Sequence, residues 1–368
     1  MGNAGFGPLV VGNFPFTREP AAGHGLMVPR AVVWKSSHQA VYLTLHRDIV
    51  AATEPCRVLA ELDRTYTEFA THLRTTPTAP TIPAPGPPRQ QLPTPELVEP
   101  YASWCSRVQD ARTSISQGAI AKVVLARSVR HHHPCGFDVA STLHKLRANH
   151  PGATSFAMSM RTPQGLGVFL GATPEPLVEV DGHRVATRAI AGTLPRSSDT
   201  SSDESRLLGS AKDRHEHRFV VEMLTRRLAD GCTSIHVTPT EILHLPQVLH
   251  LQARLVGTQE TPGHLIDWVE RLHPSPAVGG WPCQPAADWL RLHEPLERGP
   301  YAAPIGWVDG QGNGQFFVAI RSALVQGKTA TAYAGAGIVA DSNPDAEWHE
   351  TRHKLQAIAD ALVPGGAL

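Results

Sequence analysis

The sequence has no charge of either sign to spare: Lys plus Arg and Asp plus Glu each number 33. A nucleic-acid-binding surface shows a basic excess or a clustered basic patch, and neither is present, so no nucleic-acid partner is expected. No apolar run approaches the roughly 18 residues that cross a bilayer, so no membrane partner is expected either. The start, MGNAGFGPLVVG, has no basic stretch ahead of an apolar one, unlike a signal peptide. Phe6 stands where a myristoylation signal needs Ser or Thr. Cysteine is scarce. Cys56, Cys105, Cys135, Cys232 and Cys283 are odd in number, widely spaced and form no Cys-x-x-Cys pair. Free thiols in a reducing compartment account for them, and a cytoplasmic location is expected.

Histidine, by contrast, is abundant at 20 residues, so a constellation is needed before any one is read as a ligand. The HHHPC run at 131–135 is poor metal bait. Adjacent histidines on a strand or loop cannot all face one ion, and no second cluster is spaced to join them.

One composition break divides the chain. Residues 76–96, TPTAPTIPAPGPPRQQLPTPE, are dense in proline and nearly free of large apolar side chains. Proline fixes its own dihedral and lacks an N–H, so this stretch reads as an extended surface connection. It sets a strand-rich N-terminal region, 1–95, apart from a long part, 96–368. The N-terminal runs AVVWKS and AVYLTLH are either a small domain or strands completing the larger part's sheet.

After the connection, Leu97, Tyr101, Trp104, Val108, Ala111 and Ile115 recur at helical spacing. AIAKVVLARSV, 119–129, is β-rich, and 167–192 reads as short strands with a hairpin turn at Asp181-Gly182. Residues 203–230 read as one helix with Phe219, Val220, Met223 and Leu224 inward. Residues 315–339 read as two strands around a Gly-Lys turn. Asn343-Pro344 opens a last helix, with Asn as N-cap and Pro at the first helical position. Strands mostly adjoin strands. That predicts an α+β fold: a large, mostly antiparallel core of two packed sheets with helices outside. With no obvious apolar surface stripe, a monomer is expected.

Several residues could carry chemistry. Lys122 lies on a strand apolar on both faces, so it is buried. Such a Lys either pairs with a carboxylate or, because burial disfavours an ammonium, serves as a base. Glu216 falls in line with the inward residues of its helix and needs a partner, Lys212 at i−4 or a metal. Glu347 and Glu350 share one face of the last helix. A helix N-terminus favours acidic residues for its own sake. Joined by Glu216, they would also make an oxygen-only site suited to Mg²⁺. Gly335 and Gly337 around Ala336 permit close backbone approach and an N–H cradle for an anion, or are a plain bulge. Arg321 sits among apolar residues and needs an anion, for which a carboxylate suits its fork.

Eight segments in order then carry a family resemblance over roughly 96–365: KVVLAR, FLGATPEPLVEV, ATRAIAGTLPR, AKDRHEH, HLQARLVG, HPSPAVGG, GWVDGQGNGQFFVAIRSA and YAGAGIVADSNPDAEWHET. The chain resembles the chorismate-utilising enzymes, which include isochorismate, salicylate, anthranilate and aminodeoxychorismate synthases. VVGNFPF followed by LMVPRAV also looks like the N-terminal strands of the isochorismate synthases.

The resemblance implies roles. Lys122 resembles the base that activates water at ring carbon 2, and Glu175 the acid that protonates the hydroxyl leaving carbon 4. Glu216, Glu347 and Glu350 resemble ligands of a Mg²⁺ ion that binds the ring carboxylate. Arg321, Tyr333 and the backbone of Ala336 and Gly337 resemble the grip on the enolpyruvyl carboxylate. Thr193, His250 and Ala277 resemble pocket residues. Among the branches, those that use ammonia lack the Lys at position 122. Ala191 stands where aminodeoxychorismate synthases carry a Lys, and Ala277 where salicylate synthases tend to carry Thr. The pattern is that of the isochorismate branch, with chorismate as substrate and no amidotransferase subunit. Its alternatives are a salicylate synthase and an inactive homologue. Ser275, Ala303 and Gln315 depart from the common Thr, Gly and Glu; Ala303 adds a methyl near the pocket.

Overall fold

A computed structural model of the chain describes residues 9–17, 25–29, 31–35, 41–45, 55–75, 92–197, 199–245 and 248–365. Most of the proline-rich connection, 76–91, lies outside the described residues.

Every strand pairing named below is antiparallel, as the hairpin-rich sequence predicts. A nine-stranded sheet runs in the order Ser234–Val237, Val248–Thr258, Arg184–Pro195, Pro176–Asp181, Gly314–Val318, Pro304–Asp309, Leu9–Asn13 and Gly25–Met27, with Glu241–His244 also pairing on Val248–Thr258. A seven-stranded sheet runs Gly280–Trp281, Lys122–His132, Thr329–Ile338, Ser322–Gln326, Gly165–Thr173 and Thr154–Thr162, with Glu96–Leu97 beside Lys122–His132. The N-terminal segment Leu9–Asn13 thus extends the larger sheet, while Ala31–Lys35 and Val41–Leu45 pair only with each other.

The principal core joins inward residues of both sheets, among them Leu125, Phe169, Val178, Ala189 and Phe316, all fully buried. Truncating a buried phenylalanine such as Phe316 to Ala typically costs about 3–5 kcal/mol. The outer face of the smaller sheet (Leu170, Ala323, Ala332) packs under helices Val139–Asn149 and Pro344–Ala359. Leu249 and Leu251, on the larger sheet, pack against Leu207 of helix Thr200–Gly209. Eight helices in the described residues flank the sheets.

Local signals account for most boundaries. Asn343 caps the last helix, its side chain accepting from the N–H groups of Asp345 and Ala346, with Pro344 in the first turn. Four expectations are corrected. Residues 203–230 form two helices, Thr200–Gly209 and Ala211–Ala229, because Ser210 turns extended and its hydroxyl accepts from the Asp213 N–H as an N-cap. Within the second helix Val220, Met223 and Leu224 are buried, but Phe219 is 37% exposed and stacks edge-on against His215. Leu97 belongs to a short edge strand, not to helix Tyr101–Ser116.

The fourth correction matters most. The apolar run at 315–339 makes three strands, and its first belongs to the other sheet. Gly314–Val318 ends in the nine-stranded sheet, Ala319–Arg321 crosses the gap, and Ser322–Gln326 starts in the seven-stranded one. The chain makes the opposite crossing at Pro174–Glu175, between Gly165–Thr173 and Pro176–Asp181. The two crossings are bonded together. Thr173 Oγ1 donates to the Val318 carbonyl at 2.6 Å, the Val318 N–H to the Glu175 carbonyl at 3.0 Å, and the Ala172 N–H to the Arg321 carbonyl at 3.1 Å.

Candidate active site

A cavity of about 110 Å³ opens where the crossings meet. Its wall includes Lys122, Glu175, Thr193, Glu216, His250, Ala277, Arg321, Tyr333, Gly337 and Glu350. Ala336, by contrast, is buried in the core, and Glu347 is buried beside the cavity without lining it.

Lys122 begins the strand Lys122–His132, and its Nζ donates to Glu216 Oε1 at 2.5 Å. Glu216 comes from helix Ala211–Ala229, which packs on the larger sheet, so this ion pair bridges the two halves. The partner of Glu216 is therefore not Lys212. Burial alone would push the Glu216 carboxyl up, but the Lys122 ammonium and its hydrogen bond outweigh it and hold the group below the usual carboxylate range. Gly337 makes room for the Lys: a Cβ there would lie 2.8 Å from Lys122 Cε. The group that approaches Gly337 is thus a lysine side chain, not the anion expected at these glycines.

Glu175 differs. Burial raises its carboxyl to about 7, against the pull of Lys122, Lys354 and Arg321. Near neutral pH it carries a proton much of the time, as an acid requires.

His250 projects from strand Val248–Thr258 and is pushed down to about 4 by burial, with Arg321 and Lys354 adding to the shift. It is therefore neutral. Its Nδ1 lies 3.2 Å from the Gly192 carbonyl, which can only accept, an arrangement that favours the tautomer with the hydrogen on Nδ1 and Nε2 as acceptor. Thr193 Oγ1 lies 3.0 Å from the same nitrogen. A register shift between Ala191 and Thr193 produces this arrangement. Gly192 is the extra residue, at φ 75°, a left-handed conformation that glycine adopts without strain.

Arg321 and Ala302 are the two non-glycine residues with positive φ among those described, 53° and 60°, and both line the cavity. Such backbone costs of order 1–3 kcal/mol and clusters at functional sites. Burial lowers the Arg321 guanidinium from its ordinary value, with Tyr301, Glu350 and Glu175 opposing. Tyr333 stacks on Tyr301 with centroids 5.4 Å apart, and burial raises its phenol to about 12.

Sequence reasoning missed Lys354. Lys354 Nζ donates to Glu350 Oε1 at 2.5 Å and to the Gly335 carbonyl at 2.8 Å, and it lines the cavity. Its signal, an i,i+4 Glu-Lys pair on a helix, is that of an ordinary surface pair. Burial pushes Glu350 up, but Lys354 prevails and holds it low. Glu347 is raised to about 7 by burial and by the nearby Glu350 charge.

The Glu350 charge therefore acts on both Glu216 and Glu347, and the three carboxylates offer only oxygen donors, which suits a hard divalent cation. They are not a ready-made cage. No group of three His, Cys, Asp or Glu among the described residues is set to hold a metal, and Glu216 and Glu350 each hold a lysine. The 131–135 histidines form no such group either; His131 is buried, with both ring nitrogens unpartnered.

A cavity with a protonated carboxyl, a lysine, a neutral imidazole and a guanidinium is built for acid–base chemistry on an anion. The chain belongs to the chorismate-binding enzymes, whose family model matches residues 1–363. It is 40% identical over 270 residues to the salicylate biosynthesis isochorismate synthase of Pseudomonas aeruginosa, covering 72% of this chain and 56% of that one. It is 36% identical over 263 residues to the isochorismate synthase MenF of Bacillus subtilis, 70% of this chain and 55% of that one. The chain thus spans little more than half the length of these relatives. The menaquinone-specific isochorismate synthase of Escherichia coli superposes with a TM-score of 0.79 at 25% identity, over 96% of this chain and 79% of that one. Anthranilate synthase component I from Streptococcus pneumoniae shares the fold, with a TM-score of 0.78 at 21% identity over 98% and 82%. No described helix is long and apolar enough to cross a membrane.

Proposed function

We propose that this chain is a cytoplasmic isochorismate synthase that isomerises chorismate without an amidotransferase subunit. The observation that carries the reading is the pairing of a lysine with a carboxyl raised to about 7 in one small cavity. Water must add at ring carbon 2 while hydroxide leaves carbon 4, and neither is reactive at neutral pH without help. Lys122 acts as the base in its neutral amine form, reached when its ammonium gives up a proton, and takes the proton from the attacking water. Glu175 gives its proton to the departing hydroxyl, which leaves as water as the ring double bonds shift. Arg321 and Lys354 hold a substrate carboxylate, and the Nε2 of His250 accepts from a substrate hydroxyl. Glu216, Glu347 and Glu350 would hold Mg²⁺, which when bound supplies positive charge for the ring carboxylate.

The test is a product assay with chorismate. Isochorismate as sole product, formed with Mg²⁺ and lost with EDTA, supports the reading. Salicylate plus pyruvate would make the chain a salicylate synthase, and no turnover in any metal would make it an inactive homologue.

A further inference from the structure

Beside the inner cavity lies a larger chamber of about 430 Å³. The two share a wall, since Pro174, Thr193, Arg321, Glu350 and Lys354 line both. The last helix supplies one side of the larger chamber with a stripe at helical spacing, Ala346, His349, His353 and Ala357. Elsewhere in the wall is Arg196, one residue beyond strand Arg184–Pro195, the strand that carries Thr193 to the inner cavity.

The chamber's charge is lopsided. Arg196, Arg321 and Lys354 line it against a single carboxylate, Glu350, which Lys354 already holds at 2.5 Å. The formal net charge of the whole chain is zero, so this excess is a matter of placement. The excess is counted without the four wall histidines, His150, His244, His349 and His353; burial and the Arg321 charge lower the pKa of His150. Arg196 is exposed and makes no hydrogen bond or ion pair with the described residues. Between the charged groups the wall is apolar, with Pro151, Ala153, Leu245 and Val248. A cleft with low-dielectric walls and charge of one sign focuses its field and draws in counter-ions.

We propose that this chamber is the entry vestibule of the active site and that Arg196 is its capture residue for a dicarboxylate. An unpartnered guanidinium offers a bidentate contact to one carboxylate of an arriving dianion. Arg321, which faces both chambers, takes that carboxylate inward. Arg196 thereby acts on encounter and positioning, not on the chemical step. That the dianion is chorismate rests on the function proposed above; the capture of a ring dicarboxylate does not.

The experiment compares the parent with Arg196→Gln, Arg196→Glu and, as a control, Arg291→Gln, which alters an exposed arginine lining neither chamber. Steady-state kinetics with chorismate are recorded across ionic strengths, and chorismate and isophthalate are each titrated by calorimetry. Steering of this kind is worth about 10-fold or more in association at low salt and is screened as salt rises. The expected result is a kcat/KM lower by about 10-fold in Arg196→Gln and by more in Arg196→Glu, with kcat near parental and a flatter salt dependence. Isophthalate affinity should fall in the same order, and the control should behave as the parent. Parental kcat/KM and salt slope in both Arg196 variants overturn the proposal, as does a fall in kcat with KM unchanged. If the parent neither binds nor converts chorismate, the functional reading fails. The isophthalate titration then decides the vestibule: affinity lost on charge reversal supports it, and equal affinity, or none in the parent, rejects it.

Discussion

Lys122 and Glu216 are 94 residues apart in sequence, yet Nζ and Oε1 meet at 2.5 Å across the junction of the two sheets. One contact thus joins the proposed base to a proposed metal ligand. Lys122→Ala should lower turnover by about 10²–10⁴ while chorismate still binds by calorimetry. It also strands the Glu216 carboxylate. Breaking a buried pair can cost about 3–5 kcal/mol, though Glu216 is a quarter exposed, which reduces that cost. Adding Glu216→Gln to Lys122→Ala should therefore recover part of the lost thermal stability and none of the activity. A double variant no more stable than Lys122→Ala would show that the pair does not couple the halves.

Gly337 is tested through its missing side chain. Gly337→Ala puts a methyl 2.8 Å from Lys122 Cε, so the lysine must move. Misplacement by about 1 Å can cost 10²-fold in rate, and a loss of that order in kcat is expected, with Tm little changed because the flexible end of the lysine yields. An unchanged kcat would detach Lys122 from the chemistry.

The raised carboxyls make stability depend on pH. Glu175 and Glu347 each move from an ordinary 4.5 to about 7 in the folded chain. The folded state therefore binds more protons than the unfolded state between these values, and the stability this gives is lost as pH rises through about 7. His250 acts oppositely: lowered from 6.5 to about 4, it contributes stability above 6.5 that is lost as pH falls through about 4. Glu347→Gln isolates one carboxyl. Its Tm relative to the parent should rise as pH increases from about 5 to about 8, and a constant offset would show that Glu347 titrates normally.

Ala277 lines the cavity, at the position where the resemblance to salicylate synthases leads one to expect Thr. Ala277→Thr should raise pyruvate release above the parental level, measured by a coupled lactate dehydrogenase assay. Isochorismate alone at the parental rate would mean that position 277 does not steer the outcome.

How much of this was written in the sequence depends on the range of the interaction. The strand at Lys122 and the cap at Asn343 are local, set by a β-branched run and by side-chain hydrogen bonds two and three residues away. The antiparallel plan followed from strands adjoining strands. The crossing at Ala319–Arg321 was not legible, because QFFVAIRSALV is apolar on both faces and reads as one strand; only Arg321 at φ 53° marks the turn between sheets. Lys354 was hidden for the opposite reason: its local pattern has a sufficient local explanation. The metal reading named three carboxylates, but two of them hold lysines in the fold: Glu216 through a long-range pair with Lys122 that no spacing rule contains, and Glu350 through the local i,i+4 pair with Lys354.

The two neighbouring crossings carry one further meaning. Glu175 rides on one and Arg321 on the other, and their backbones are tied through Thr173, Val318 and Ala172. The spacing between acid and guanidinium is therefore a gauge of how the sheets are seated on each other. Phe316, wedged fully buried in the core they share, helps set that seating. Settling of the sheets into a space left there would reach the gauge directly, so catalysis would register a change in the core that makes no contact with the substrate.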